Sequence, residues 1–210
     1  MKKILLMILV SLFAPAFANA DTFYFNISNV AGLTGSPWAR IDVTQTNSTT
    51  VHFKVDPLEA AFTTMGTQFG LANFYFNDGS NLGNGLTVSN FNESGWTYEY
   101  LADNPGGGPS VGPYGKFEFQ TLSGTNANPL EFDISAASAI TVADFSTILS
   151  TGGYIFAGHI QDWTINGFTA TSAQFATLPG STPIPEPGTM MLLGSGLVGL
   201  AGWGHKKFRK

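Results

Sequence analysis

The feature that most restricts the fold of this chain is a recurring two-residue alternation of apolar and polar side chains. In ARIDVTQT, Ile41 and Val43 alternate with Arg40, Asp42 and Thr44; in TTVHFKV, Val51, Phe53 and Val55 alternate with His52 and Lys54. Successive side chains of a β-strand point to opposite faces, so such a run buries one face and wets the other. KFEFQT and PLEFDIS repeat the pattern and direct Phe117, Phe119, Leu130, Phe132 and Ile134 inward. Residues 23–27, 69–76, 86–91, 96–101 and 154–160 read as further short strands.

Turn residues punctuate these runs. Asn47 and Ser48 between the first two predict a hairpin, and NDGSNLGNG, DNPGGGPSVGPYG and SGTNANP read as loops. Short strands at this spacing predict an all-β body, an antiparallel β-sandwich of jelly-roll-like form. One helix is expected in TVADFSTILS. There Val142, Phe145, Ile148 and Leu149 share a face, and Thr141 with Asp144 makes a capping-box-like start.

Composition narrows the function. Residues 21–187 hold only three basic side chains, Arg40, Lys54 and Lys116, against all 14 acidic residues of the chain. That balance excludes nucleic acid as a partner, because phosphate binding requires clustered Lys and Arg. Cysteine is absent, which removes disulfides, thiolate nucleophiles and Cys-ligated zinc. Charged residues are 11% of the chain while hydrophobic ones are 43%, so the body relies on a large apolar core beneath a hydroxyl- and amide-rich surface.

Both ends carry addresses. MKKILLMILVSLFAPAFANA has a basic start at Lys2 and Lys3, an apolar stretch too short to span a bilayer stably, and small residues at Ala18 and Ala20. It reads as a signal peptide over residues 1–20, cut by signal peptidase before Asp21. At the other end, residues 180–187 form a Pro-rich linker and residues 188–204 carry no charge. As a helix those residues extend about 26 Å, close to the ~30 Å of a bilayer core. Lys206, Lys207, Arg209 and Lys210 follow in a basic tail at 205–210, which the positive-inside rule holds in the cytoplasm. The acidic body at 21–179 then faces outward.

The succession of Pro185-Glu186-Pro187, a Gly-rich apolar stretch and a terminal basic cluster resembles the PEP-CTERM sorting signal, also labelled an ice-binding-protein C-terminal motif. The resemblance covers residues 182–210. It implies a Gram-negative bacterium that makes exopolysaccharide, and an exosortase that recognises the Pro-Glu-Pro segment. It also implies a transient stay in the inner membrane before delivery to the cell surface or extracellular matrix. The two prolines keep the recognition segment extended and present Glu186 as its charge.

Several residues of the body are candidates for chemistry. Glu131 and Asp133 share a strand face and, with Glu118, form a possible carboxylate set for glycan hydrolysis or Ca²⁺. His159 with Asp162 is a possible base or metal pair, whereas His52 belongs to a solvated face. The loop at 77–85 offers oxygen ligands but lacks the carboxylate pattern of an EF-hand and reads as turn chemistry. Sugar binding calls for exposed aromatics, and Trp38, Trp96, Tyr98, Tyr100, Tyr114 and Trp163 are available. Trp96, Tyr98 and Tyr100, spaced by two, read better as a core stripe. Thr44 and Thr46 form a single Thr-x-Thr unit, too little for an ice-binding array. No catalytic residue or cofactor is assigned, and the metal question stays open. The expected role is structural, adhesive or exopolysaccharide-associated and non-enzymatic. The alternative is a secreted glycan hydrolase or a Ca-dependent carbohydrate-binding module.

Overall fold

The structure is a computed structural model that describes residues 19–101, 110–165 and 168–178. Apart from Ala20, the residues assigned to the signal peptide cleavage site, the Pro-Glu-Pro segment, the apolar span and the basic tail lie outside the described residues. Among the described residues no helix is long and apolar enough to cross a membrane.

The described residues form ten strands: β1 (Ala20–Ser28), β2 (Thr34–Asn47), β3 (Thr50–Pro57), β4 (Thr64–Phe76), β5 (Thr87–Ser89), β6 (Thr97–Tyr100), β7 (Phe119–Ala127), β8 (Leu130–Ser135), β9 (Ala157–Ile165) and β10 (Phe168–Ala176). One α-helix among the described residues, α1 (Val142–Ser146), and three single-turn 3-10 helices accompany them. All strands pair antiparallel, in the order β5-β8-β3-β2-β1-β10-β9-β4-β7-β6.

The all-β, antiparallel expectation holds, but the two sheets of a sandwich are here one continuous sheet curled on itself. Its halves are joined where Ile27 and Ser28 of β1 pair with Ala176 and Phe175 of β10. Curling brings β3 and β8 over β4: the Phe53 ring lies 5.7 Å from Phe76 and 6.2 Å from Phe74, and stacks on Phe132 at 5.1 Å. The two-residue alternation of the sequence is realised in this core. Ile41, Val43, Val51, Phe53, Val55, Leu130, Phe132 and Ile134 are all fully buried. The edges are β5 and β6, three and four residues long, which limits the open ladder available for unwanted pairing.

Three local expectations change. Phe117 is buried, but not in the same core as Phe119. β7 begins only at Phe119, and Phe117 joins Val111, Tyr114, Ala157 and Ala176 in a second cluster. Ala157 and Ala176 neighbour Phe156 and Phe175 of the main core, so strand alternation puts this second cluster on the outer face of the sheet. Two small alanines leave room there for Tyr114 and Phe117. The segment is fastened by Ser150 Oγ donating to Tyr114 O (2.6 Å) and Lys116 N–H donating to Thr151 Oγ1 (2.8 Å).

The helix is shorter than the apolar pattern suggests. Val142 and Phe145 are buried and Asp144 accepts the Thr141 N–H at 2.7 Å, as expected. Helical structure stops at Ser146, where Thr147 turns its hydroxyl back to Ala143 O (2.8 Å). Leu149 is therefore 42% exposed rather than inward. The third change is β10, which the alternation did not reveal: FTATSAQFA is mostly small residues, and among its described side chains only Ala173, Phe175 and Ala176 are buried.

Candidate functional site

The outer face of β2, β3 and β8 carries the acids singled out above. Antiparallel register aligns Asp42 with Lys54 and Lys54 with Glu131; one row along, His52 stands opposite Asp133. Each carboxylate meets a partner. Lys54 Nζ lies 3.2 Å from Glu131 Oε1, and His52 Nδ1 lies 2.8 Å from Asp133 Oδ1. Asn90 Nδ2 donates to the other Asp133 oxygen at 2.8 Å. Asp42 Oδ1 takes Arg40 Nε (2.8 Å) and the Thr22 hydroxyl (2.6 Å). Glu131 and Asp133 do share a face, and they sit there in cross-strand pairs, Glu131 in an ion pair with Lys54 and Asp133 in hydrogen-bond contact with His52.

Glu118 does not join them. It precedes β7, is 8% exposed, and its Oε2 accepts the Asp78 N–H at 2.8 Å. Asn77 reciprocates by accepting the Glu118 N–H at 3.0 Å. Asp78, Asn81, Gly83, Tyr100 and Glu118 line a cleft of about 190 Å³. The loop that forms its wall is shaped by Asp78. One carboxylate oxygen accepts the Ser80 N–H (2.7 Å) and the Ser80 hydroxyl, while the other accepts the N–H groups of Leu82 and Gly83, both at 3.0 Å. Four donors fill the roughly four acceptor positions of a carboxylate. The 77–85 loop is thus turn chemistry, and Asp78 works as its internal strut. Among the described residues no three His, Asp or Glu side chains are placed to hold a metal ion.

His159 and Asp162 do not form a pair. His159 is half-buried on β9 between Asn73 of β4 and Gln174 of β10, and burial lowers its pKa from the ordinary histidine value. Asp162, at a φ of 59°, turns instead to accept the Gln68 N–H at 2.8 Å, where β4 slips register between Met65 and Gly70.

The aromatic candidates are mostly interior. Trp38, Trp96, Tyr114 and Trp163 are all at most 5% exposed. The Trp96, Tyr98 and Tyr100 stripe lies against the core as expected, with Tyr98 and Tyr100 half-buried and the Tyr100 ring 4.9 Å from Phe119. Tyr100 alone of the six lines the cleft. The meeting of Asp78 with Glu118, 40 positions apart, had no signal in the sequence. The role of Asp78 had one, because Asp followed by Gly and Ser favours a side-chain-capped turn.

The most specific signal lies at the C-terminus. A family model for the PEP-CTERM protein-sorting motif matches residues 183–207. The chain carries a PEP-CTERM sorting motif. The match contains Pro185, Glu186 and Pro187 as well as Lys206 and Lys207. A PEP-CTERM motif marks an exported protein sorted by an exosortase to the cell envelope or surface. No curated protein and no solved structure matches the chain.

Proposed function

We propose that this exosortase-sorted protein serves a structural or adhesive role in the extracellular matrix of a Gram-negative, exopolysaccharide-producing bacterium. It is held first in the inner membrane by residues 188–204 and contacts exopolysaccharide non-covalently once outside. The observation that carries this reading is the PEP-CTERM motif at residues 183–207. The surface of the body supports it. The acids of the β3–β8 face stand in compensated cross-strand pairs, an arrangement suited to a soluble, chemically inert exterior. The body is accordingly read as non-enzymatic.

A second reading, a carbohydrate-binding module, is favoured by the cleft. Tyr100 offers a partly exposed ring, Glu118 lies at its wall, Asn81 adds an amide, and Asp78 holds the loop that shapes it. An aromatic face with polar groups beside it is the usual composition of a small-ligand site. The test is sedimentation of the processed protein with exopolysaccharide from the producing cells, with and without added calcium, beside a Tyr100→Ala variant. Matrix association is expected in both proteins. Loss of sedimentation in the variant favours the module, and failure of both proteins to sediment with the polysaccharide overturns the matrix role.

A further inference from the structure

The 77–85 loop contains two bonds of the same intrinsic weakness, Asp78–Gly79 and Asn84–Gly85. At each, the glycine nitrogen can attack the preceding side-chain carbonyl and close a succinimide ring. Glycine favours the attack because no side chain screens its nitrogen and its backbone turns freely. The fold treats the two bonds in opposite ways. Asp78 is 5% exposed, and its carboxylate already accepts four donors. The Gly79 N–H donates to Asp144 O of α1 at 2.6 Å. Gly79 has no room to turn: a β-carbon there would lie 2.8 Å from Ile148 Cγ1 and 2.9 Å from Asp144 O. The nucleophile and the carbonyl it would attack are therefore both fixed, and an ionised carboxylate is a poor electrophile.

Asn84 is exposed, and among the described residues no hydrogen bond holds its side chain. The exposed asparagines nearest it in the chain, Asn81, Asn90 and Asn92, each donate from the side-chain amide. Gly85 is exposed as well, and a β-carbon there would meet only Leu82 Cβ, at 3.8 Å. The Gly85 N–H donates to Leu82 O at 2.7 Å and closes a single 3-10 turn, Gly83–Gly85. That turn buries no residue and has no side-chain cap. An exposed turn of this kind opens at little cost, and a reaction of the opened form follows its population.

We propose that Asn84 is a site of spontaneous covalent modification, converted to aspartate and isoaspartate, while the same loop protects Asp78. The Gly85 nitrogen bonds to Asn84 Cγ and the Cγ–Nδ2 bond breaks. The Gly85 amide proton leaves with Nδ2 as ammonia. Water then opens the ring at either carbonyl. Hydrolysis of the Cγ–N bond leaves aspartate; hydrolysis of the bond to the backbone carbonyl leaves isoaspartate, with the chain running through Cβ. Water is the only co-reactant. Either product adds a carboxylate next to Gly83, which lines the cleft, and isoaspartate also lengthens the backbone there by one carbon. The modification thus falls on the cleft wall, whatever the cleft holds.

The test holds the full chain in mild detergent at mildly alkaline pH, folded or unfolded in urea. Samples taken over time are digested and mapped by mass spectrometry, with isoaspartate read by enzymatic carboxyl methylation. Mapping separates Asn84 from the other Asn-Gly pair of the sequence, Asn166–Gly167. In the folded chain Asn84 is expected to convert about tenfold or more faster than Asn81, Asn90 or Asn92. Asp78–Gly79 should gain isoaspartate in urea only. Gly85→Ala, for which the structure leaves room, should slow the conversion of Asn84 by about tenfold or more. The same slowing is expected in urea, where it owes nothing to the fold. Conversion of Asn84 in urea but not in the folded chain would show that the turn protects it and overturns the proposal. Absence of conversion in both overturns the chemistry. Equal rates in the parent and Gly85→Ala remove the Gly85 nitrogen as the nucleophile, and isoaspartate at Asp78 in the folded chain removes the protection.

Discussion

Gly158 of β9 sits directly beneath the ring of Phe25 of β1: a β-carbon at position 158 would lie 2.6 Å from Phe25 Cε2 and 3.1 Å from Leu71 Cδ1. Glycine ordinarily weakens a strand, and alanine in its place commonly gains 0.5–1 kcal/mol. Here the sign reverses. Phe25 is fully buried, with Phe74 6.4 Å away, so its ring has nowhere to swing. Gly158→Ala is expected to destabilise the body by about 1–3 kcal/mol, the usual cost of overpacking. Chemical denaturation of the variant beside the parent measures it, and a gain in stability would show that the two walls of the sheet are more loosely packed than described.

Asp78 ties four donors of its own loop together, and its N–H is held by Glu118. Asp78→Ala removes the acceptor from all four at once and is expected to cost about 2–3 kcal/mol, in the range for hydrogen bonds to charged groups. Asp78→Asn, which keeps one good acceptor oxygen, should cost less. Amide exchange at Ser80, Leu82 and Gly83 is expected to quicken in the alanine variant while exchange in β3 keeps pace with global stability. Unchanged exchange at those three amides would mean that the loop is held from elsewhere.

His159 gives the body an acid sensitivity of known sign. Burial lowers its folded-state pKa below the ordinary value of 6.5, so the unfolded chain binds the proton more tightly. The stability associated with the neutral imidazole is fully present above pH 6.5 and is lost as the pH falls toward the folded-state pKa. The cross-strand neighbours Asn73 and Gln174 do not titrate, so the effect belongs to the histidine itself. His159→Gln should flatten the decline in stability just below pH 6.5. A decline of equal slope in both proteins assigns it to another group.

Glu131 and Asp133 furnish the opposite case, in which little should happen. Their side chains are 33% and 23% exposed and face Lys54 and His52 across the ladder. Surface pairs of this kind contribute roughly 0–1 kcal/mol. Glu131→Gln and Asp133→Asn are each expected to stay within that range at pH 7, and to leave any polysaccharide association unchanged. Loss of association in either variant would place the ligand on this face instead of at the cleft.

These cases show what in the sequence was legible. Alternation at Ile41 and Val43 of β2, and through β3 and β8, identified the buried face there, because one parity of each of these stretches is apolar. β10 escaped because alanine, serine and threonine serve both faces of a strand. Phe117 and Phe119 share a parity, yet the chain bends between them, and only tertiary structure shows that one enters the outer cluster and the other the main core. The same limit applied to Glu118. A place on a strand neighbouring that of Glu131 and Asp133 was expected for it, whereas the fold sets it against Asp78 in the loop after β4. The PEP-CTERM motif was readable without any fold, since it is an address written in local chemistry.

The address itself makes the last prediction. Glu186 is the charged residue between Pro185 and Pro187 of the matched motif, and in the proposed topology the basic residues after the uncharged stretch stay on the cytoplasmic side. Glu186→Ala removes the charge without altering either proline. Deletion of residues 206–210 removes the anchor of topology and leaves the Pro-Glu-Pro segment intact. Both variants, expressed in cells that contain the exosortase, are expected to accumulate as uncut precursor in the inner-membrane fraction, with most of the parent protein found processed outside it. Immunoblotting of the fractions with an antibody to the β body reads the outcome. Normal processing of the Glu186→Ala variant would remove the carboxylate from recognition, and normal processing of the deletion would remove the cations from topology. If both variants mature as the parent does, sorting does not run through this motif.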